Sequence, residues 1–485
     1  MGFVWNLPRL NGGIERRGVR FVSFVSMSWE VARTRLERVA DKQGIDAAKL
    51  FVTSQVEGDL RPPLVRDDAV RTFGKAQEDI RVTLYRDPAY WCPYCQRVQL
   101  QLELKRIPYR VKTVNMRCYG EKPDYFRALV PSGAIPAVSF DDGPVKTESL
   151  DLMLEIERMF PDNSPLIPPE DNEMVYKLFR NFMQLERRLF SSWFQYMFSG
   201  GGGFGLFGGG KDSFISDLEA WDAAMAQINS GPFALGSNIS LVDILAVPFV
   251  ERMVASALYW KAINIREDYP GIDAWLKGME TVFPAYRTIR ADIYSTVHNL
   301  PPQTGRATFD SGSDQFREAI DGVGNNWELP LVGSVSYDRI YGDDSEAKIE
   351  AAAALIRGSE FLVPFAMRAI GVRKRTVSAP LADPDAQPVL WGKEYVEQAL
   401  FGVALALIDG TEAPEAIDAS KSIPADEQRK VIASLAYLRD RIGVPRDMSP
   451  GAARQLRCHL NWFCRSMLGE ERWAEIKPEY AVQSA

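Results

Sequence analysis

Val82-Thr83-Leu84-Tyr85-Arg86-Asp87, followed by Trp91-Cys92-Pro93-Tyr94-Cys95-Gln96, decides the fold of this chain. The apolar run Val82–Tyr85 is a short strand, and a helix over Gln96–Lys105 follows it. Two cysteines therefore sit one helical turn apart at a strand-to-helix junction. Pro93 suits the first helical position, where a missing N–H costs nothing. Cys92 then lies at the helix N-terminus, where free N–H groups and the helix dipole favour a thiolate over a thiol. The thiolate is the attacking form in thiol–disulfide exchange, and Cys95, one turn deeper, can act as the resolving thiol.

Other uses of such a pair need partners. A zinc site needs two more ligands. The remaining candidates are Cys118, Cys458, Cys464, His298 and His459, and Cys458-His459 with Cys464 would not face a common point on a helix. Five cysteines in 485 residues are too few for a disulfide framework. A purely structural pair stays open. The strand–Cys-x-x-Cys–helix layout is that of a thioredoxin-like redox site.

The downstream residues extend that reading. Ile107–Val114 reads as a second strand, and Pro131–Val138 as a loop entering a third. Pro136 at the strand start predicts a cis Ile135–Pro136 bond. The N–H and C=O of Ile135 would then be open to an extended peptide, in the manner of an added strand. Thr147-Glu148-Ser149 opens a helix over Leu150–Phe160. Ser149 offers a hydroxyl and backbone N–H groups to a carboxylate, and Glu148 can hold an ammonium group. A ligand with a thiol, an extended backbone and an α-amino acid end is glutathione.

With these residues in view, Val82–Phe160 resembles the N-terminal domain of glutathione transferases, especially the cysteine-type classes. Glu121-Lys122-Pro123-Asp124-Tyr125-Phe126 is similar to the omega-class stretch whose lysine binds the glycine carboxylate of glutathione. The resemblance gives that role to Lys122, the backbone clamp to Ile135 and Pro136, and the γ-glutamyl site to Glu148 and Ser149. Cys92 matches the catalytic cysteine. Cys95 departs from the omega pattern and moves the site toward glutaredoxins. Further motifs resemble the iota class, which is associated with photosynthetic organisms. They are Cys118-Tyr119-Gly120-Glu121-Lys122, Val250-Glu251-Arg252-Met253, Leu300-Pro301-Pro302-Gln303 and Leu438–Ser449. Tyr94 stands where that class often has tryptophan.

The organisation follows. Residues 1–76 form an N-terminal extension, a targeting or wrapping segment. Residues 1–29 hold four arginines and one acid, Glu15, in the manner of a transit peptide. Ser28–Asp41 reads as an amphipathic helix with Val31, Leu36 and Val39 on one side. Residues 77–166 are the thioredoxin-like, glutathione-binding domain, and 167–300 the all-helical transferase domain. Within the latter, Met174–Phe198 is a long aromatic helix, and Ser240-Leu241-Val242-Asp243 is a helix start of the capping-box type. The Gly/Phe run over 199–210 lacks the preceding strand and the lysine spacing of a phosphate loop. Residues 301–485 form a further, mainly helical domain. Helices are expected over Asp344–Gly358, Lys393–Asp409, Ala425–Ile442 and Pro450–Gly469, with a loop over 376–390. Arg439, Arg441, Arg446, Arg454 and Arg457 read as structural salt-bridge partners in preference to an anion site.

The fold class is thus α/β plus all-α. A net charge of −7 disfavours a sequence-independent grip on nucleic acid. No apolar run is long enough for a transmembrane segment, and two histidines argue against a histidine-based hydrolase. The expected activity is glutathione-dependent thiol transfer, or deglutathionylation. Glutathione is the co-substrate, no metal is expected, and glutathionylated or small electrophilic compounds are the partners. The resemblance implies a chloroplast or other plastid, with the cytoplasm otherwise. The alternative is a non-catalytic, transferase-fold scaffold or ligand-binding subunit of a larger assembly. Its docking surfaces would be the N-terminal extension, the Gly/Phe run and the C-terminal domain.

Overall fold

The computed structural model describes residues 17–46, 51, 62–198, 209–228, 230–331, 344–372, 377 and 379–480, with the backbone alone at 17–28 and 209. Residues 1–16, 47–50 and 52–61 of the expected N-terminal extension, 199–208 of the Gly/Phe run, and 376 and 378 of the expected loop lie outside this set. One compact unit spans Glu57–Arg317. The other joins Phe3–Val56 to Glu318–Ser484. Among the described residues, no helix is long and apolar enough to cross a membrane.

The first unit is built on a four-stranded sheet of order β1-β3-β2-β4. The strands are β1 (Ala69–Arg71), β2 (Val82–Arg86), β3 (Tyr109–Thr113) and β4 (Ala137–Phe140). β2 pairs in parallel with β3, Leu84 opposite Val111, and antiparallel with β4, Leu84 opposite Val138. A parallel pair requires a crossover, and the helix Pro93–Leu104 supplies it. The edge strand β1 lies upstream of residue 77, so the sheet draws on part of the segment assigned from sequence to the extension. Side chains alternate along β2. Tyr85 meets Phe126, Val130, Val114 and Ala137 on one face. The helix Pro93–Leu104 is tied to Ser149–Met159 by Gln101, whose Nε2 donates to the Met153 carbonyl at 2.9 Å and to Glu157 at 2.8 Å.

The helical half of this unit is organised by Leu241–Lys261. Almost every residue of that helix is buried, as expected for one that is apolar all round. Its start is the one the capping-box spacing predicts. The buried Asp243 carboxylate accepts from Ser240 N–H at 2.7 Å, Ala234 N–H at 2.9 Å and the Trp275 indole at 2.9 Å. The role is structural. The aromatic helix Glu173–Phe198 buries Phe179, Phe182 and Trp193 in the core, while Phe194 stays exposed.

A buried polar bridge joins this helical half to the sheet half. The Gln96 side-chain amide donates to Glu251 Oε2 at 3.0 Å and accepts from Arg252 Nη1 at 2.8 Å. Arg252 also donates to the Pro248 carbonyl at 2.6 Å and to the Trp91 carbonyl at 3.0 Å. Glu251 accepts from Ala291 N–H at 2.9 Å. One amide thus serves two buried charged groups, satisfying each with its matching half.

The second unit is helical. Its main elements are Arg17–Lys42, Asp344–Ala366, Lys393–Asp409, Pro414–Lys421, Gln428–Asp440 and Pro450–Leu468. Trp29, Ala32, Leu36 and Ala40 are buried in one core with Ala352, Leu400, Val403 and Phe463. The buried stripe of the first helix therefore runs through Trp29, Ala32, Leu36 and Ala40. Val31, expected on that side, is exposed, and Val39 packs at its margin. Trp29 Nε1 donates to Glu397 at 3.3 Å, and Arg35 pairs with Asp409 and Glu415, both at 3.1 Å. Gly402 permits the close packing, since a Cβ there would come 2.7 Å from the Phe463 ring and 2.9 Å from Ala419 Cβ. The arginines of 439–446 are salt-bridged. Arg439 pairs with Asp440, Arg441 with Asp383 and Arg446 with Asp447. Cys458 and Cys464 are buried apolar side chains, both thiols pushed up to about 12 by burial.

Two outcomes test these arrangements. Leu36→Ala should cost about 2–5 kcal/mol in chemical denaturation of the full chain, and Val31→Ala should stay within about 0.5 kcal/mol. Gln96→Ala strips a partner from two buried charged groups and should cost about 2–5 kcal/mol in the same assay. A near-neutral result would deny the bridge its energetic role.

Candidate functional site

The end of β2 and the start of Pro93–Leu104 are held by one carboxylate. Asp87 accepts from Trp91 N–H at 2.7 Å and from Cys92 N–H at 3.3 Å. Arg86 is fully buried beside it, with Nη2 3.3 Å from Asp87 Oδ1 and its guanidinium 3.5 Å from the centre of the Tyr90 ring. Its charge would be costly to bury without that carboxylate. Cys92 is the N-cap residue, its backbone still extended, and Pro93 is the first helical residue.

This geometry separates the two thiols. Cys92 Sγ accepts from the Cys95 N–H at 3.3 Å. Burial alone would push the Cys92 thiol up. The hydrogen bonds from the Cys95 thiol and amide, with the nearby Arg86 charge, overcome it and hold Cys92 below the ordinary thiol value. Cys95 is pushed well above that value, first by burial and then by its bond to Cys92. The ligand atoms of Asp87, Cys92 and Cys95 lie within 4.8 Å of one another. The Asp87 oxygens are already engaged by two amides and a guanidinium, so the trio reads as a capped thiol pair and not as an open chelate.

The remaining candidates converge on Cys92 to different degrees. The Ile135–Pro136 bond is cis, as the strand-start proline predicts. The Ile135 carbonyl oxygen lies 3.8 Å from Cys92 Sγ. Glu148 is exposed and takes φ = 67°, in the left-handed region that a glutamate rarely adopts. Ser149 is buried and begins the helix Ser149–Met159. Lys122 is half-buried, its Nζ donating to the Asn115 carbonyl at 2.7 Å. Its stem lies beside Gly133, where a Cβ would come 3.0 Å from Lys122 Cδ. Burial lowers the Lys122 ammonium from its usual value, and the thiols of Cys95 and Cys92 oppose that shift.

Arg97 was not among the sequence-predicted site residues. It lies on the Cys-x-x-Cys helix and donates to Ser149 Oγ from Nε at 3.0 Å and from Nη2 at 2.5 Å. Its guanidinium is 5.0 Å from the centre of the Tyr94 ring and 5.4 Å from that of Phe249. The available signal was its place one helical turn beyond Pro93, on the turn following the thiols. Arg86, Asp87, Gln96 and Arg252 lie within motifs of the sequence whose local pattern gives these four residues no role. Tyr94 is exposed beside Cys92 and starts a row of rings. Phe249 lies 5.2 Å from it, Phe190 4.9 Å from Phe249, and Phe194 6.2 Å from Phe190. Cys118, half-buried, is pushed up to about 11 by burial.

Comparison with known proteins is consistent with this geometry. Residues 91–159 match the glutathione S-transferase N-terminal domain, and residues 172–278 match the glutathione S-transferase C-terminal domain. Both segments lie in the first unit. The chain is similar to the probable glutathione S-transferase DHAR1, cytosolic, of Oryza sativa subsp. japonica, at 26% identity over 188 residues, 39% of this chain and 79% of the relative. It is 24% identical over 214 residues to glutathione S-transferase DHAR3, chloroplastic, of Arabidopsis thaliana, 44% of this chain and 74% of the relative. Among solved structures, glutathione transferase Omega 3C from Trametes versicolor is 26% identical, with 45% of this chain and 91% of that one covered and a TM-score of 0.36. The two matched segments are thus similar to the N- and C-terminal domains of glutathione S-transferases, a family whose co-substrate is glutathione.

Proposed function

We propose that this protein is a cysteine-type glutathione transferase that performs thiol transfer, with Cys92 as nucleophile. The observation that carries the reading is the Cys92 sulfur itself. It sits at a helix N-terminus, accepts the Cys95 N–H, and is held below the ordinary thiol value while Cys95 is raised. A serine or tyrosine hydroxyl can only stabilise the glutathione thiolate. A cysteine thiolate attacks sulfur directly.

The steps balance as two exchanges. The Cys92 thiolate attacks the glutathione sulfur of a glutathionylated substrate. The Cys92–glutathione disulfide forms, the substrate sulfur leaves with the electron pair, and it takes a proton from solvent. The thiolate of a second glutathione then attacks the glutathione sulfur on Cys92. Oxidised glutathione leaves and the Cys92 thiolate is restored. Cys95, protonated at neutral pH, acts as donor to Cys92 in this scheme, which is a monothiol cycle.

Glutathione fits the residues as follows. Ile135 offers its backbone N–H and C=O to the cysteinyl segment. Ser149 holds the γ-glutamyl carboxylate, Glu148 the amino group, and Lys122 the glycine carboxylate. The motifs outside the matched domains support the finer assignment to the iota class. The relatives' names include both a chloroplastic and a cytosolic protein, and the arginine-rich leader favours the plastid.

Iodoacetamide should label Cys92 before the other four cysteines, with a half-maximal rate at a pH below the ordinary thiol value of about 8.5. Cys95→Ala removes a donor to the thiolate, so that midpoint should move up while turnover persists; loss of turnover would mean a dithiol cycle. Intact mass after exposure to oxidised glutathione should show one adduct, mapped to Cys92 and absent from Cys92→Ser. Ser149→Ala should weaken glutathione about tenfold, the loss of one charge-assisted hydrogen bond.

A further inference from the structure

We propose that Arg97 is the residue that makes the Ser149 site selective for a carboxylate, by fixing the Ser149 hydroxyl as a donor and supplying the positive charge behind it. The inference rests on the reading above, in which Ser149 meets the γ-glutamyl end of glutathione.

Arg97 carries a charge that no direct ion pair among the described residues answers. Arg97 is half-buried, and no carboxylate of the described residues lies within ion-pair distance of it. Its two side-chain hydrogen bonds both end on Ser149 Oγ, a neutral atom. Glu186 and Glu148 are the carboxylates that act on it, from a distance. Two aromatic faces, Tyr94 and Phe249, flank the guanidinium and keep water from part of it. Cations withdrawn from water are ordinarily paired, because an isolated one loses hydration without return. A cation left in this state next to a proposed ligand contact is completed by an anion from the ligand.

The hydrogen-bond count points the same way. A serine hydroxyl has one proton and two lone pairs. Arg97 occupies the lone pairs with Nε and Nη2, so the proton turns outward and Ser149 must act as a donor. A carboxylate accepts such a proton and an ammonium nitrogen does not; a neutral amide can still accept it through its oxygen, so the Arg97 charge is what separates carboxylate from amide. The arginine thus does two things that a helix start alone cannot. It sets the direction of the hydroxyl and makes the field around it favour a negative charge. Arg97 is a positioning residue here.

The test is a cycle of two ligands and three proteins, with the full chain throughout. Binding of glutathione is compared with that of the analogue whose γ-glutamyl α-carboxylate is a neutral amide, for wild type, R97Q and R97K. In wild type, amidation should weaken binding by roughly ten- to a hundredfold, the range of a charge-assisted hydrogen bond. In R97Q that ratio should collapse to within about threefold, and the loss in turnover should fall mainly on KM for glutathione. R97K keeps the charge and should fall between the two. A lysine no better than glutamine would overturn the role of charge. An amidation ratio equal in wild type and R97Q would overturn the inference while leaving the Ser149 contact standing. No amidation effect in wild type would remove the γ-glutamyl contact itself, and the inference with it. Thermal melting without glutathione supplies the structural control. R97Q deletes an unpaired, partly buried charge and should melt no lower than wild type. A lower melt with an unchanged amidation ratio would assign Arg97 to packing alone.

Discussion

The Asp87 carboxylate is the constraint on which the rest of the site depends. It gathers the amides of Trp91 and Cys92 and answers the buried guanidinium of Arg86. Those contacts fix the loop between β2 and the Pro93–Leu104 helix, so Cys92 reaches the helix start with its sulfur turned back onto the Cys95 amide. The same carboxylate is negative and close, and it works against the Cys92 thiolate. The site tolerates this because the Cys95 donors and Arg86 act in the opposite sense. Acidity at Cys92 is therefore a balance of local donors against burial and a like charge, and no one of them prevails alone.

The position of that loop is set a second time from the helical half of the unit. Arg252 reaches the Trp91 carbonyl, one residue before Cys92, and Gln96 on the thiol helix links Arg252 to Glu251. Buried charged groups that share one amide leave little freedom for either element to slide. Cys92 is thus referenced to both the sheet and the buried helix Leu241–Lys261. The row of rings from Tyr94 through Phe249 and Phe190 forms along the same boundary.

In the second unit three arginines of the 439–446 segment are tied to carboxylates of the same unit. Arg439, Arg441 and Arg446 end on Asp440, Asp383 and Asp447, and the N-cap Ser449 is held by Glu350, whose Oε1 accepts the Ser449 N–H at 2.7 Å. His459 is buried with its Nδ1 2.7 Å from the Gln455 carbonyl, and burial lowers it to about 4. It stays neutral at physiological pH and behaves as a core residue.

Features that depend on neighbours within one turn or one strand were legible in the amino-acid order. The strand–Cys-x-x-Cys–helix junction, the proline opening β4, the serine opening Ser149–Met159 and the capping box at Ser240 all follow from local backbone needs. The bounds Lys393–Asp409 match the pattern, because apolar periodicity and a following glycine mark both ends. Long-range pairs were settled only by the packed molecule. Arg97 meets Ser149 across 52 residues, Arg252 meets Trp91 across 161, and Trp29 meets Glu397 across 368. Nothing in a local pattern specifies such pairs. They exist only after helices have chosen neighbours, and that choice is made by burial. It is why the first helix buries Ala32 and leaves Val31 in solvent, and why an arginine outside every expected site residue stands behind the serine proposed to bind the ligand.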